Sequence, residues 1–401
     1  MVPSLPGSSV VRYYLYKATK AVEFYRPVMY LYFLSQGLNF TQIAALEAVY
    51  NVTTVLGEVP TGYVGDRVGR RNSLLLGTAV IAATLVGLGF AETFPAFLGL
   101  YALWSLGYTF RSGSEDAWLY DTLTVELTED AFAEVRGRGE SMALLVGVVG
   151  AVAGGYLGSI DLRYPFWVAA GLTAVGIPVL LSMPEPETVE GAGGDVLSVR
   201  RALGIIRGAL TRRRLRAFVL YYYVLFAAVL YLVFIFVQPI FETVTLDLGL
   251  QQSQVEQALG WYYAGISLVG AALSYNAGAI EERVGLRTWF LVLPVGVGAA
   301  LIGMWLVPVL ALPVLLLARG IADTTRTLAS QYVNDRIEST GRATILSAMA
   351  MVSAVTVVPF QLGSGALSDV VSPLFALAVG GGVLAVGSVL VWLWEAPVPR
   401  E

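Results

Sequence analysis

The sequence contains neither cysteine nor histidine. Without cysteine the chain can form no disulfide bond and no thiolate metal site. Without histidine it lacks the side chain that titrates most readily near neutral pH. Any proton transfer must therefore fall to carboxylates, and we expect no metal site and no cofactor.

Charge is also scarce. Charged residues make up 13% of the 401 residues, whereas a soluble protein usually has about a quarter. The mean hydropathy is +0.70, and apolar runs of the length needed to cross a bilayer recur throughout the chain. Barrel strands are shorter and alternate in polarity, so they fit these runs poorly. The sequence predicts an all-α integral membrane protein, and its first residues lack the pattern of a signal peptide.

We predict twelve transmembrane helices in two pseudo-symmetric six-helix bundles. The bundles are residues 1–183 and 215–401, and residues 184–214 form a linker between them. The second part of this linker is basic with apolar spacing, which fits either a surface helix on an anionic leaflet or a solubilising linker. The predicted helices are Val10–Gly37, Thr41–Val64, Asn72–Glu92, Pro95–Leu123, Gly139–Ile160, Tyr164–Met183, Leu215–Glu242, Gln254–Ile280, Thr288–Leu310, Pro313–Ile337, Arg342–Leu367 and Pro373–Trp394.

The distribution of arginine predicts the orientation. If the N-terminus is cytoplasmic, basic residues cluster at the inner ends of the helices and the outer loops hold only Arg163. Basic residues favour the cytoplasmic side of a membrane. We therefore expect both termini to be cytoplasmic.

One short motif occurs twice. "GYVGDRVGRR" begins at Gly62, after predicted helix 2, and "GAIEERVGLR" begins at Gly278, after predicted helix 8. Half of the ten positions are identical, and both copies follow the second helix of a six-helix half. The matching residues of the two copies are Gly62, Asp66, Arg67, Gly69 and Arg71 in the first and Gly278, Glu282, Arg283, Gly285 and Arg287 in the second.

The first copy resembles the signature between helices 2 and 3 of the major facilitator superfamily. The resemblance implies a prokaryotic plasma-membrane transporter that works by alternating access, without cofactor or nucleic acid and as a monomer. It also implies that Asp66 faces the start of helix 11 near Arg342, and that Arg70 pairs with Asp121. These contacts would form a latch between the halves, and the second copy should latch more weakly because Leu286 replaces the matching arginine. The alternative is that these arginines only fix topology.

Ionisable residues within predicted helices cluster on three of them. Each costs roughly 2.5–3.5 kcal/mol to place in a bilayer, so each needs a reason. They either form a substrate and proton path, with Glu23, Glu115 and Asp323 as the candidate proton carriers, or they are salt bridges that fix packing. Glu47 is a candidate outer gate or an interfacial residue. The clusters are Lys20, Glu23 and Arg26 on helix 1, Arg111, Glu115 and Asp116 on helix 4, and Arg319, Asp323 and Arg326 on helix 10.

Three classes of function compete. A secondary transporter of a small molecule, with protons as the coupling ion, is favoured by the repeat and the charged helices. A membrane-embedded enzyme would need a nucleophile–base set or a metal cluster, and the usual residues are absent. A sensor with a carrier fold is the third class. Among transporters, aromatic residues along helices 1 and 7 favour efflux of an organic or drug-like compound, whereas the buried charges favour a polar metabolite.

Overall fold

The computed structural model describes residues 7–126, 131–185, 215–336 and 342–398. The surface helix considered for the linker lies outside these residues. The described residues are almost entirely helical and contain no strand. Their helices, some of them interrupted, are α1 (Ser8–Ala21 and Met29–Ser35), α2 (Phe40–Val68), α3 (Arg70–Leu88), α4 (Phe94–Glu126), α5 (Ala131–Gly158), α6 (Tyr164–Ser182), α7 (Arg216–Phe218, Val219–Phe226 and Ala227–Asp247), α8 (Gln252–Tyr275 and Ala277–Val284), α9 (Leu286–Leu306), α10 (Ala311–Asn334), α11 (Arg342–Val370) and α12 (Pro373–Trp394).

Eight of these helices contain a stretch that is long and apolar enough to cross a membrane. The four others are α1, α2, α4 and α8. α1 is split into short segments, and α2 and α4 carry several charged residues within the helix. Hydropathy alone therefore understates the number of membrane-spanning helices wherever a helix is charged or broken.

α1 is broken, so the prediction of one continuous helix over Val10–Gly37 is wrong. The first segment ends at Ala21 and the second begins at Met29. Pro27 explains the break, because proline lacks an amide hydrogen and its ring conflicts with the carbonyl four residues earlier. That carbonyl belongs to Glu23, so the break passes through the charge cluster predicted on helix 1.

The two copies of the repeated motif form almost no loop, which corrects the predicted boundaries. α2 continues to Val68 and α3 begins at Arg70, so the first repeat turn is Gly69 alone, with φ 94°. In the same way α8 ends at Val284 and α9 begins directly after Gly285, with φ 77°. This second repeat turn has the same construction. A backbone with positive φ favours glycine, because other residues carry a Cβ that clashes there.

α7 contains a π-helical segment, Val219–Phe226. The wider π turn leaves the carbonyl of Tyr223 available to other donors, and it accepts hydrogen bonds from Ser353 at 3.1 Å and Thr356 at 3.5 Å, both on α11. Tyr221 donates to the carbonyl of Phe290 on α9. The tyrosines at the start of α7 are therefore packing residues of their unit.

The chain divides into two compact units. The first comprises most of the first half of the sequence together with Glu256–Ala264 of α8. The second comprises most of the second half together with Phe33–Ala48. One boundary between the units falls within α2, between Ala48 and Val49. In the first unit, Tyr13 stacks on Trp118 at 6.3 Å between ring centroids within a buried apolar cluster.

Candidate functional site

Four charged side chains of α1, α4 and α5 form one partly buried network, which we call the lysine–glutamate cluster. Lys17 donates to Glu115 Oε1 and to Glu140 Oε1, each at 2.7 Å. Lys20 donates to the other carboxylate oxygen of Glu115. Lys17 and Glu115 are almost fully buried, whereas the Glu140 side chain is 50% exposed. One carboxylate thus lies between two ammonium groups, and one ammonium group lies between two carboxylates.

Helix geometry assembles this cluster. Lys17 and Lys20 are three residues apart on the first segment of α1, so they share a face. Lys17 lies about two and a half turns after the start of α1, Glu140 lies as far after the start of α5, and Glu115 lies about three turns before the end of α4. This brings the three residues to one level. The sequence pointed to Lys20 and Glu115 but missed Lys17 and Glu140. The prediction that α5 begins at Gly139 left Glu140 at a helix end, although α5 begins at Ala131.

The break in α1 holds an ion pair of its own. Arg26 donates through Nε to the carboxylate of Glu23, and both side chains are more than a third exposed. Because the intervening chain is not helical, Lys20, Glu23 and Arg26 do not lie along one continuous helix. Glu23 and Arg26 pair with each other, and Lys20 joins the lysine–glutamate cluster.

Glycines of α5 allow α1 to be broken beside it. A Cβ on Gly154 would overlap the carbonyl oxygen of Phe24, and one on Gly158 would lie 2.9 Å from Val28. A Cβ on Gly150 would make an ordinary van der Waals contact with Val22, at 3.7 Å. The glycine-rich face of α5 therefore packs directly against the non-helical segment of α1, as small residues allow between membrane helices.

The other charged residues predicted on α4, Arg111 and Asp116, contact residues outside the lysine–glutamate cluster. Arg111 is buried and donates through Nε to the hydroxyl of Tyr16 at 3.1 Å. Asp116 accepts two hydrogen bonds from Arg136 of α5, at 2.8 and 3.0 Å, and both side chains are about half exposed. The structure thus separates Asp116 from the adjacent Glu115, because successive residues on a helix face different directions.

The charges predicted on α10 lie in the second unit. Asp323 pairs with Arg326 at 3.3 Å, and Arg326 is largely exposed. Arg319 lies over the ring of Phe234 on α7, with its guanidinium carbon 5.1 Å from the ring centroid. Glu47, the candidate outer gate, also belongs to this unit. It is buried and accepts a hydrogen bond from the Tyr231 hydroxyl at 2.8 Å.

The first repeat turn carries a set of ionic contacts within the first unit. Arg70 donates to Asp66 at 2.7 Å, and its Nε lies 4.0 Å from Asp121 Oδ2. The side chain of Arg342, the predicted neighbour of Asp66, lies outside the described residues. Gly62 has nothing within 4 Å of where a Cβ would stand.

Glu185, just after α6, lies against the first repeat turn. It accepts a hydrogen bond from the backbone amide of Arg71 at 3.1 Å, and its other oxygen lies 3.6 Å from Arg71 Nε. Arg71 also donates to the carbonyl of Met183 at 3.2 Å. A Cβ on Gly69 would lie only 2.5 Å from Glu185 Oε1. Sequence reasoning missed Glu185 because it assigned that segment to a flexible linker.

The second repeat turn has fewer contacts. Glu282 and Arg283 are exposed, and within the described ranges neither forms an ion pair. Arg287 lies over the ring of Trp392, 5.7 Å from its centroid. Gly278 and Gly285 have nothing within 4 Å of where a Cβ would stand.

Comparison with known proteins identifies the family of the chain. A family model described as Major Facilitator Superfamily matches residues 21–359. The chain belongs to the Major Facilitator Superfamily. The resemblance predicted from the repeated motif is confirmed, and so is the fold class, an all-α integral membrane protein with twelve transmembrane helices in two pseudo-symmetric six-helix bundles. The chain is thus a multi-pass membrane member of this superfamily.

Three relatives illustrate the similarity. The "Uncharacterized MFS-type transporter YxaM" of Bacillus subtilis (strain 168) is 25% identical over 146 residues, which is 36% of each chain. The chain thus aligns with about a third of that relative's length. The crystal structure of the nucleoside transporter NupG superposes with a TM-score of 0.78 and 14% identity, covering 96% of this chain and 98% of the other. The D-xylose-proton symporter gives a TM-score of 0.65, with 14% identity and 96% coverage of both chains. These two structures share the fold of this superfamily member.

Proposed function

We propose that this superfamily member is a proton-coupled secondary transporter that exports an organic, drug-like compound by alternating access. In this proposal residues 1–183 and 215–401 are the two moving bundles and residues 184–214 link them. The protein acts as a monomer in the plasma membrane of a prokaryote. The observation that carries the proposal is the lysine–glutamate cluster.

The cluster has the charge arrangement that a proton carrier needs. With Lys17, Lys20, Glu115 and Glu140 all ionised, its net charge is zero. Protonation of Glu140 leaves a net positive charge and removes one of the two carboxylates that hold Lys17. A net charge is unfavourable in a membrane interior, so the cluster must rearrange when the proton arrives.

Glu140 is the proposed entry point for the proton. Its side chain is half exposed, whereas Glu115 is almost fully buried between two lysines. A proton can therefore reach Glu140 from solvent. Glu115 contacts both Lys17 and Lys20, so it serves as the counter-charge that Lys17 retains.

Aromatic side chains beside the break in α1 favour an organic substrate. Tyr25 stacks on Phe166 at 5.5 Å and meets Trp104 edge-on at 5.2 Å. Trp104 also contacts Tyr50 and Tyr101. Tyr50 and Trp104 are the partly exposed rings of this cluster, and they could contact an aromatic ligand while the Glu23–Arg26 pair contacts a charged group on it.

A carrier for a polar metabolite is the second candidate. The specific observation in its favour is the break in α1, where backbone groups and the Glu23–Arg26 pair lie together outside regular helix. Broken membrane helices can bind polar substrates through such groups. The fold is compatible with both candidates, since nucleoside and sugar transporters are among the proteins that share it.

The loop between α5 and α6 supports the proposed orientation. Arg163, the basic residue that the prediction places outside, donates to both carboxylate oxygens of Asp161, at 2.6 Å for the shortest contact. These hydrogen bonds hold the pKa of Asp161 below its usual value. Arg163 is the one basic residue in the loops proposed to be outside, which agrees with the preference of basic residues for the cytoplasmic side of a membrane.

Ligand binding and flux test the proposal in two steps. Purified protein is first screened by thermal unfolding with ethidium as the organic probe and with uridine and D-xylose as polar probes. The stabilising probe is then followed in proteoliposomes with an imposed pH gradient. An exporter that exchanges substrate for protons accumulates ethidium in vesicles with an acidic lumen. Flux that ignores the gradient contradicts proton coupling, stabilisation by the polar probes alone favours the second candidate, and binding without flux would indicate a sensor.

A further inference from the structure

The start of α2 receives a carboxylate from a distant part of the sequence. Asp369, near the end of α11, accepts a hydrogen bond from the backbone amide of Phe40 at 2.7 Å through Oδ1. Its Oδ2 accepts from the amide of Thr41 at 3.0 Å and from the Thr41 hydroxyl at 2.5 Å. All of these residues belong to the second unit. We call this group of contacts the α2 clamp.

The amides at the start of α2 show why the clamp can open without unwinding the helix. The first amides of a helix lack intrahelical partners. Asn39 and Gln42 satisfy two of them by a reciprocal capping pair, with the Asn39 amide 3.0 Å from Gln42 Oε1 and the Gln42 amide 2.8 Å from Asn39 Oδ1. The two remaining amides, those of Phe40 and Thr41, donate hydrogen bonds to Asp369. The helix start is therefore held by its own residues, and water can replace Asp369.

A close helix contact accompanies the clamp. Gly365 lies one turn before Asp369 on α11, and a Cβ there would stand 2.8 Å from both Ala44 Cβ and the carbonyl oxygen of Phe40. Only a residue without a side chain allows α11 to approach α2 this closely. The short distance brings the carboxylate within reach of the helix start, where it is also favoured by the helix dipole.

We propose that Asp369 is a positioning residue for transport, which holds the first turns of α2 against α11 in one conformation and releases them in the other. The inference rests on the proposed alternating access. In that proposal α2 moves with residues 1–183 and α11 moves with residues 215–401. Their relative movement therefore strains the clamp or breaks it.

The cysteine-free sequence allows a direct measurement. Ser368 is 4% exposed and lies three residues from Gly365, so it is on the same side of α11. In the single-cysteine variant Ser368→Cys, we measure the rate of labelling by a membrane-impermeant maleimide. Asp369→Asn should raise this rate roughly three- to tenfold, as expected for the loss of a charged N-terminal cap. Asp247→Asn, which removes an exposed carboxylate at the end of α7, should leave it unchanged.

Two further variants keep the proposal testable if Asp369→Asn does not fold. Thr41→Val removes one of the three donors and should raise the rate about twofold, whereas Thr41→Ser should restore it. A labelling rate unchanged in both Asp369→Asn and Thr41→Val would overturn the clamp. If these variants label faster but flux does not respond to the pH gradient, the clamp is supported and the proposed proton coupling is contradicted. If flux responds to the gradient but labelling does not change, the proton coupling is supported and the clamp is contradicted.

Discussion

The turn between α2 and α3 and the turn between α8 and α9 have the same backbone geometry but different ionic contacts. Each consists of one glycine with positive φ, 94° at Gly69 and 77° at Gly285, followed directly by the next helix. The first turn has an ionic set around it that includes Arg70 and Glu185. The second has leucine in place of Arg70, and its Glu282 is exposed.

The repeated motif contains both a glycine that forms the turn and charged residues that form ionic contacts. The difference between the two copies shows which of these the turn itself requires. The glycine is needed wherever the backbone turns in this way, so both copies retain it. The ionic contacts are not needed for the turn, since the second turn has the same backbone without them. We infer that the ionic set of the first turn serves the transport cycle or the anchoring of α6, and the comparison can be tested by paired substitutions.

Alanine at the two glycines should give the largest difference. Both substitutions force a side chain into a backbone region that is nearly exclusive to glycine, at a cost of about 1–3 kcal/mol. Gly69→Ala must also displace Glu185, whose carboxylate would lie 2.5 Å from the new Cβ. We expect Gly69→Ala to lower the thermal unfolding midpoint of the purified protein more than Gly285→Ala does.

The same helices supply matched controls for this pair. Gly62 and Gly278 occupy equivalent helical positions with open space around them. Alanine there should be neutral or stabilise by about 0.5–1 kcal/mol. Equal losses for Gly69→Ala and Gly285→Ala would show that Glu185 does not contribute.

Removal of the carboxylate charge should affect transport unequally. Asp66→Asn should slow the pH-driven flux of the stabilising probe by roughly tenfold, because a latch worth about 1.4 kcal/mol would be lost. Glu282→Gln should change the flux less than about twofold. Membrane protein levels should stay similar in both variants, and wild-type flux in Asp66→Asn would refute the latch.

The two final arginines of the repeat should differ in their effect on stability. Arg71→Gln removes contacts with Glu185 and with the Met183 carbonyl, which should cost about 1–2 kcal/mol. Arg287→Gln removes a contact with the Trp392 ring, worth about 0.5–1 kcal/mol. Chemical or thermal unfolding of the two variants measures the difference, and a larger loss for Arg287→Gln would reverse the comparison.

The smallest expected effect comes from adding the missing charge. Leu286→Arg would place an arginine four residues after Glu282, as Arg70 stands four residues after Asp66. Such an exposed pair should stabilise the protein by only about 0.3–0.5 kcal/mol. A shift in the unfolding midpoint that disappears at high salt would support it. A gain of several kcal/mol would mean that the ionic set determines the turn after all.

The repeated turn was predictable because glycine and charge spacing mark it in the sequence. The membrane class and the number of helices could also be predicted, because long apolar runs separated by short polar segments fit few other structures. The exact ends were less predictable. The polar residues of the motif continue α2 to Val68, because only Gly69 departs from helical geometry.

The site was harder to predict because it depends on contacts between distant segments. Pro27 could have signalled the break in α1, since proline in a helical pattern ends or kinks the helix. Glu140 and Lys17 gave no signal by themselves, because their pairing requires α1 and α5 to be neighbours. Asp369 reads as an ordinary residue near a helix end, and its role as a cap is visible only when α2 lies beside it.

Flux of the stabilising probe in proteoliposomes, with wild type beside Glu140→Gln, tests the central claim most directly. Glu134→Gln is the matched control, because Glu134 forms an exposed pair with Arg138 on the same helix. We predict that a pH gradient drives flux in wild type and in Glu134→Gln, whereas Glu140→Gln binds the probe and retains gradient-independent exchange but loses the response to the gradient. A full response to the gradient in a folded Glu140→Gln protein would contradict the assignment of proton coupling to the lysine–glutamate cluster.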